Sequence, residues 1–288
     1  MSASRRLDLG GTTLTLISGG INHIDGGGML GIVPKTLWEQ WYPADHENRI
    51  TLDTHCALVE SKGGTILIET GCGNKLTPLE RRFYGGSESD WLLPNFLAAG
   101  LDPRMVERVV VTHLHTDHVG GLLMNDPDGR VVPTFPNADF VVGAQEFEDA
   151  EAGRGITPNA YVPLNYRALV EERRLDPAPP DTEIIPGVRF LATPGHTFGH
   201  QSVLIEGTSR AAVFTGDVLA LYRHAPTHYT MAYDVEPLRK GETKRALLER
   251  AAREEWLLIL SHEPRFPICR AIYQERRNRY DLEEYASE

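Results

Sequence analysis

The apolar run Val109-Val-Val111 stops abruptly in Thr112-His-Leu-His-Thr-Asp-His118, so that His113, His115, Asp117 and His118 fall within six residues. The run has the β-branched character of a buried strand. In an extended chain the side chains at i and i+2 point to one side, which lets His113 and His115 grip one ion together. Asp117 and His118 lie beyond the strand end, where a turn can aim them at a neighbouring point. Imidazoles crowded beside a carboxylate at such a place are partly desolvated and unpartnered, which is costly unless something binds them. The segment predicts a strand whose end delivers ligands to a metal.

Three later segments repeat the order of strand, turn, ligand. Phe190-Leu-Ala-Thr-Pro-Gly-His196 breaks a strand with Pro-Gly before a histidine, and Ala212-Val-Phe-Thr-Gly-Asp217 breaks one with Gly before an aspartate. Leu257-Leu-Ile-Leu-Ser-His262 runs straight into a histidine. Each signal is weak alone; together they supply what a site for two metal ions requires. Imidazoles and carboxylates without thiolate suit zinc and would also hold iron, manganese or cobalt, and two zinc ions are the expectation. Such a ligand set leaves coordination positions for water, as a catalytic site needs.

Between these segments, alternation and β-branched residues predict strands near Thr12–Ser18, Ile50–Glu60, Thr65–Glu69, Arg108–Thr112, Asp139–Val142, Val188–Ala192, Ser202–Glu206, Ala211–Thr215 and Trp256–Ser261. Helical spacing appears near Pro34–Trp41, Asp90–Ala99, Ala144–Ala150 and Gly241–Glu254, and in the stretch after Ile268. Strands outnumber helices and the two are interspersed, which fits layered sheets covered by helices. No repeat, low-complexity tract or charged linker divides the chain, so residues 1–288 read as one domain.

The motifs HLHTDH, PGHTFGH, TGD and SH, in this order, resemble those of the metallo-β-lactamase superfamily. That resemblance implies an α+β fold, a four-layer αβ/βα sandwich of two mixed sheets flanked by helices. It implies that His113, His115 and His196 hold one ion, that Asp117, His118 and His262 hold the other, and that Asp217 bridges both. Glu69 stands where the superfamily commonly has aspartate, a carboxylate that buttresses the loop. His200, four residues after His196, is expected to steady that loop rather than bind metal.

Two narrower resemblances compete. Ile24-Asp-Gly-Gly-Gly-Met-Leu-Gly-Ile-Val-Pro-Lys-Thr-Leu-Trp38, with Pro43-Ala-Asp-His-Glu-Asn-Arg49, is similar to a clade of lactonase-like and methyl-parathion-hydrolase-type enzymes. Gly195-His-Thr-Phe-Gly-His-Gln-Ser202 and Cys269-Arg resemble N-acyl-homoserine lactone lactonases. Those lactonases usually carry a tyrosine three residues after the bridging aspartate, where this chain has Ala220. Tyr222, Tyr229, His224 and His228 are candidates for its role, with Tyr222 chosen as catalytic beside Asp117, the expected proton acceptor. Met29, Leu30 and Trp38 are candidates for an apolar wall over the metals that binds substrate, or for plain packing.

The expected function is a dinuclear hydrolase that opens lactones, N-acyl-homoserine lactones among them, which would silence bacterial signalling. The alternative is an arylesterase or organophosphate triester hydrolase on the same scaffold. A net charge of −11 gives no footprint for nucleic acid and argues against an RNA-processing nuclease. No run reaches the roughly 18–20 apolar residues of a membrane span, and no secretory leader is visible, so a cytoplasmic protein is expected. Cys56, Cys72 and Cys269 are unpaired in number and spacing and read as reduced thiols. The resemblance also implies a homodimer and a small lactone or ester as the only partner.

Overall fold

Strands that are apolar at nearly every position must be covered on both faces, and a computed structural model, which describes residues 5–157 and 159–286, shows how this is achieved. The first nine strands are β1 (Arg5–Asp8), β2 (Thr13–Asp25), β3 (Arg49–Ser61), β4 (Gly64–Ile68), β5 (Arg108–Val110), β6 (Leu123–Asn125), β7 (Val131–Pro133), β8 (Asp139–Gly143) and β9 (Leu175–Ala178). β6 and β7 form a hairpin of their own; the others join in one sheet in the order β1-β2-β3-β4-β5-β8-β9. The second sheet holds β10 (Glu183–Ile185), β11 (Val188–Ala192), β12 (Gln201–Glu206), β13 (Ala211–Phe214), β14 (Leu257–Ile259), β15 (Ile268–Gln274) and β16 (Arg279–Glu284), in that order. Both sheets are mixed. β4, β5, β8 and β9 are parallel neighbours in the first, as are β13 and β14 in the second.

Side-chain alternation then sorts the apolar residues into layers. Ile66 and Ile68 of β4 enter the core between the sheets, where they share a cluster with Phe190, Phe214 and Ile259. Leu67 turns to the opposite face and packs with Leu92, Phe96 and Leu169 from flanking helices. Val213 and Leu258 face outward from the second sheet onto Leu247 and Leu248 of the helix Pro237–Arg253. The result is the expected four-layer α+β sandwich. Phe214 is fully buried between the sheets. Phe214→Ala is therefore expected to lower stability by ~3–5 kcal/mol, read as a lower urea midpoint at unchanged slope.

The stretch after Ile268 corrects the reading of the sequence. It is an antiparallel pair, β15 with β16, turned at Asn278 with φ 48°. Its many charges read as a helix face, yet they lie along a sheet margin, where charged side chains also block edge-to-edge pairing. The helix Pro78–Tyr84 was also unread, although Thr77-Pro-Leu-Glu80 forms a capping box with Pro in its first turn.

Strand direction determines where the chemistry gathers. β11 is antiparallel to β12 and β12 to β13, so β11, β13 and β14 run the same way. Their ends lead into His196, Asp217 and His262, while β4 and β5 lead into Glu69 and His113. Backbone bonds tie the two sets together across the sheets, Gln201 N–H to Thr112 O at 3.0 Å and His55 N–H to Ser261 O at 2.8 Å.

Candidate metal centre

Seven side chains from these strand ends converge. His113 Nε2 lies 3.1 Å from His115 Nδ1, which lies 3.1 Å from His196 Nε2. Beside them, His118 Nε2 and His262 Nε2 are 3.2 Å apart, with Asp117 Oδ2 at 3.8 and 3.6 Å from the two. Asp217 spans the groups: its Oδ2 is 3.3 Å from His196 Nε2, and its Oδ1 is 3.2 Å from His262 Nε2 and 3.5 Å from His118 Nε2. Atoms bonded at ~2.1 Å to one tetrahedral ion are about 3.4 Å from one another, and these spacings straddle that value. Ring nitrogens facing each other this closely repel through their lone pairs unless a proton or cation lies between them. The donor set therefore fits two metal ions.

The far side of most rings is held, which fixes the tautomer and leaves one nitrogen for a metal. His196 Nδ1 is 2.8 Å from Asp234 Oδ1, and Lys240 Nζ donates to the same oxygen at 2.7 Å. His118 Nδ1 is 2.9 Å from Glu69 Oε2. His262 Nδ1 donates to Asp53 O at 2.9 Å, and His113 Nδ1 pairs with Thr112 Oγ1 at 3.0 Å. His115 differs: it presents Nδ1, and its Nε2 is buried without a partner among the described residues. Glu69 is buried with φ at 67°, a strained backbone for a non-glycine residue. There it also accepts the Thr112 N–H at 2.7 Å, so one carboxylate sets both the end of β5 and the His118 ring. His200 accepts the Asp217 N–H on Nε2 at 2.9 Å, while its Nδ1 meets Thr193. It steadies the aspartate rather than joining the donor set.

Electrostatics divide the cluster. Burial, then the neighbouring histidines, hold His113 and His115 well below the usual imidazole range, so both offer lone pairs at neutral pH. Burial also opposes charge on His118 and His262, but Asp217 and other carboxylates outweigh it and raise both. Asp217 is the converse: burial pushes it up, and His262, His118 and His196 draw it well below the usual carboxylate range.

Other expectations are corrected. Tyr222 does not face the cluster: its hydroxyl donates to Leu282 O at 2.6 Å and its ring packs on Phe266. Met29, Leu30 and Trp38 are buried in a packed cluster with Ile50, Leu52 and Leu221, because apolar side chains in that segment cover the end of the first sheet. They present no open wall. His224 is buried with Nε2 bonded to Met29 O, and His228 is exposed. His55 pairs with Glu263 O at 2.8 Å behind His262. Asp234 and Lys240 were not foreseen. Their one signal is the stripe 240, 244, 247, 248 and 251 on the helix Pro237–Arg253, a buried face headed by two lysines.

The chain is similar to known proteins in sequence and in fold. An N-acyl homoserine lactonase of Bacillus cereus is 31% identical over 170 residues, 55% of this chain and 60% of that protein. The chain thus matches only about 60% of the length of such curated relatives. A probable metal-dependent hydrolase from Staphylococcus aureus superposes with a TM-score of 0.83 at 27% identity, covering 98% of this chain and 100% of that one. A dizinc quorum-quenching lactonase in complex with its product shares the fold at a TM-score of 0.79 and 18% identity, over 99% of this chain and 98% of its own. Among the described residues no helix is long and apolar enough to cross a membrane. The metallo-beta-lactamase superfamily profile matches residues 49–262, and the chain belongs to that superfamily.

Proposed function

We propose that the protein is a dinuclear, metal-dependent lactonase that opens N-acyl-homoserine lactones, with zinc as the working metal. The observation that carries this reading is the sharing of Asp217 between two groups of ligand atoms at tetrahedral spacing. His113, His115 and His196 would hold one ion, Asp117, His118 and His262 the other, and Asp217 both. When bound, the ions supply a water that loses its proton near neutral pH and a positive field for a carbonyl oxygen. Asp117 and His115 are the members of the cluster that are only half-buried, so substrate approaches on their side. Asp117, a carboxylate at that open rim, accepts the proton of the attacking water and passes it to the departing alkoxide. The lactonase relatives support a lactone as substrate, and the acidic chain suits a small, uncharged one.

A second reading, arylesterase or organophosphate triester hydrolase, draws on Ala220. This residue is fully buried and only its carbonyl serves the site, by accepting the His262 N–H at 3.0 Å. A proton-release assay of the zinc-loaded protein separates the two. We expect kcat/KM for homoserine lactones to exceed that for a nitrophenyl ester or a phosphotriester by ~10-fold or more, a gap of about 1.4 kcal/mol in transition-state binding. Preference for the phosphotriester overturns the lactone assignment and leaves the metal geometry intact.

A further inference from the structure

Glu146 is a fully buried carboxylate that the chemistry above leaves unused. It lies in the first turn of the helix Ala144–Glu151, at the third helical position, where a glutamate commonly reaches back to cap its own N-terminus. Here both oxygens leave the helix instead. Oε1 accepts the Leu114 N–H at 3.0 Å, and Oε2 accepts the Thr197 hydroxyl at 2.5 Å. Leu114 stands between His113 and His115, and Thr197 directly follows His196. One carboxylate thus joins the two loops that carry a whole ligand trio, His113, His115 and His196.

The junction is held from both sides. The Leu114 N–H has no backbone acceptor among the described residues, so Glu146 satisfies a buried donor at the bend between two histidines. Thr197 is fully buried, and its carbonyl accepts the Gly195 N–H at 2.9 Å, which closes a tight turn around His196. A Cβ on Gly199 would lie 2.1 Å from Glu146 N and 2.5 Å from its Cα, so only glycine lets this loop approach the helix start. The other trio, Asp117, His118 and His262, is braced by a different carboxylate, Glu69, at 2.9 Å from His118 Nδ1.

We propose that Glu146 is a positioning residue for one of the two ions: through Leu114 and Thr197 it sets the spacing of His113, His115 and His196, and it leaves the other ion to Glu69. The proposal rests on the dinuclear reading above and deepens it. Glu146→Leu removes both acceptors and should weaken zinc at the His113, His115 and His196 position roughly 100-fold, with the other position within about threefold of wild type. Thr197→Val cuts one of the two links and should weaken the same ion roughly 10-fold. Glu146→Gln keeps an oxygen for the Leu114 N–H and offers an amide donor to the Thr197 hydroxyl, which can turn to accept, so it should stay within about 10-fold of wild type.

Chelator competition reads the affinities, and anomalous diffraction from crystals at a fixed chelator concentration reads the zinc occupancy of each position. Selective loss at the three-histidine position, with recovery in Glu146→Gln, supports the proposal. Equal loss at both positions, no loss in Glu146→Leu, or a Glu146→Gln variant as weak as Glu146→Leu overturns it and leaves the lactone assignment standing. If Glu146→Leu does not fold, Thr197→Val decides: selective weakening of the same ion supports the proposal, and wild-type occupancy overturns it. A wild type that holds two ions and opens no lactone sinks the lactone assignment and leaves Glu146 in its role. A wild type that takes up no zinc at these positions ends both.

Discussion

Asp217→Asn is expected to reduce bound metal from two ions per chain to one or fewer and to lower kcat/KM by ~10³-fold or more. The carboxylate is the one side chain whose two oxygens face different halves of the cluster, Oδ2 toward His196 and Oδ1 toward His118 and His262. An amide has a single ligating oxygen, so one half loses a ligand whichever way the group turns. The surroundings cannot adapt to replace it. Asp217 is buried, its backbone N–H is bound by His200, and Ser261 Oγ donates to its Oδ1 at 2.9 Å. Elemental analysis of the purified variant, with circular dichroism to establish folding, reads the effect. A folded Asp217→Asn variant carrying two ions and wild-type activity would remove Asp217 from the centre.

The grouping of these seven side chains was legible in the sequence for one physical reason. Each follows an apolar strand at or soon after its end, and parallel strands place such ends together. The layered fold was legible likewise, because runs such as Ile66-Leu-Ile68 and Leu257-Leu-Ile259 need cover on both faces. What surrounds the ligands was not. Asp234 reads as a loop acid, and its pairing with His196, 38 residues away in sequence, exists only once the chain is folded. Tyr222 is a candidate for the role of the tyrosine that Ala220 replaces, but the 3-10 turn at Tyr222–His224 swings its hydroxyl to β16. Met29, Leu30 and Trp38 have the composition of a substrate wall and of a core alike; the packing of Trp38 against Gly26 decides for the core.

The Asp234 and Lys240 pair shows how stability and metal binding can be told apart in one chain. Both side chains are fully buried, and the Asp234 carboxylate carries two interactions, to Lys240 Nζ and to His196 Nδ1. Burial alone would raise its pKa, but Lys240 and then His196 bring it down to about 2. A carboxylate with a depressed folded pKa contributes stability that is present above its unfolded value near 4 and is lost only as pH falls through about 2. The pair is therefore intact throughout pH 5–8. Asp234→Asn leaves the Lys240 charge buried and unpaired, which is expected to lower stability by ~3 kcal/mol or more, equally at pH 5 and pH 8. It also frees the His196 ring, which should weaken metal affinity ~10- to 100-fold in a chelator competition assay. Adding Lys240→Met removes the orphaned cation and should restore most of the lost stability, because an apolar replacement of a buried ion pair is often neutral. It cannot restore the carboxylate behind His196, so metal affinity should stay low in the double variant. Recovery of both properties together would mean that Asp234 acts on the centre only by keeping the chain folded.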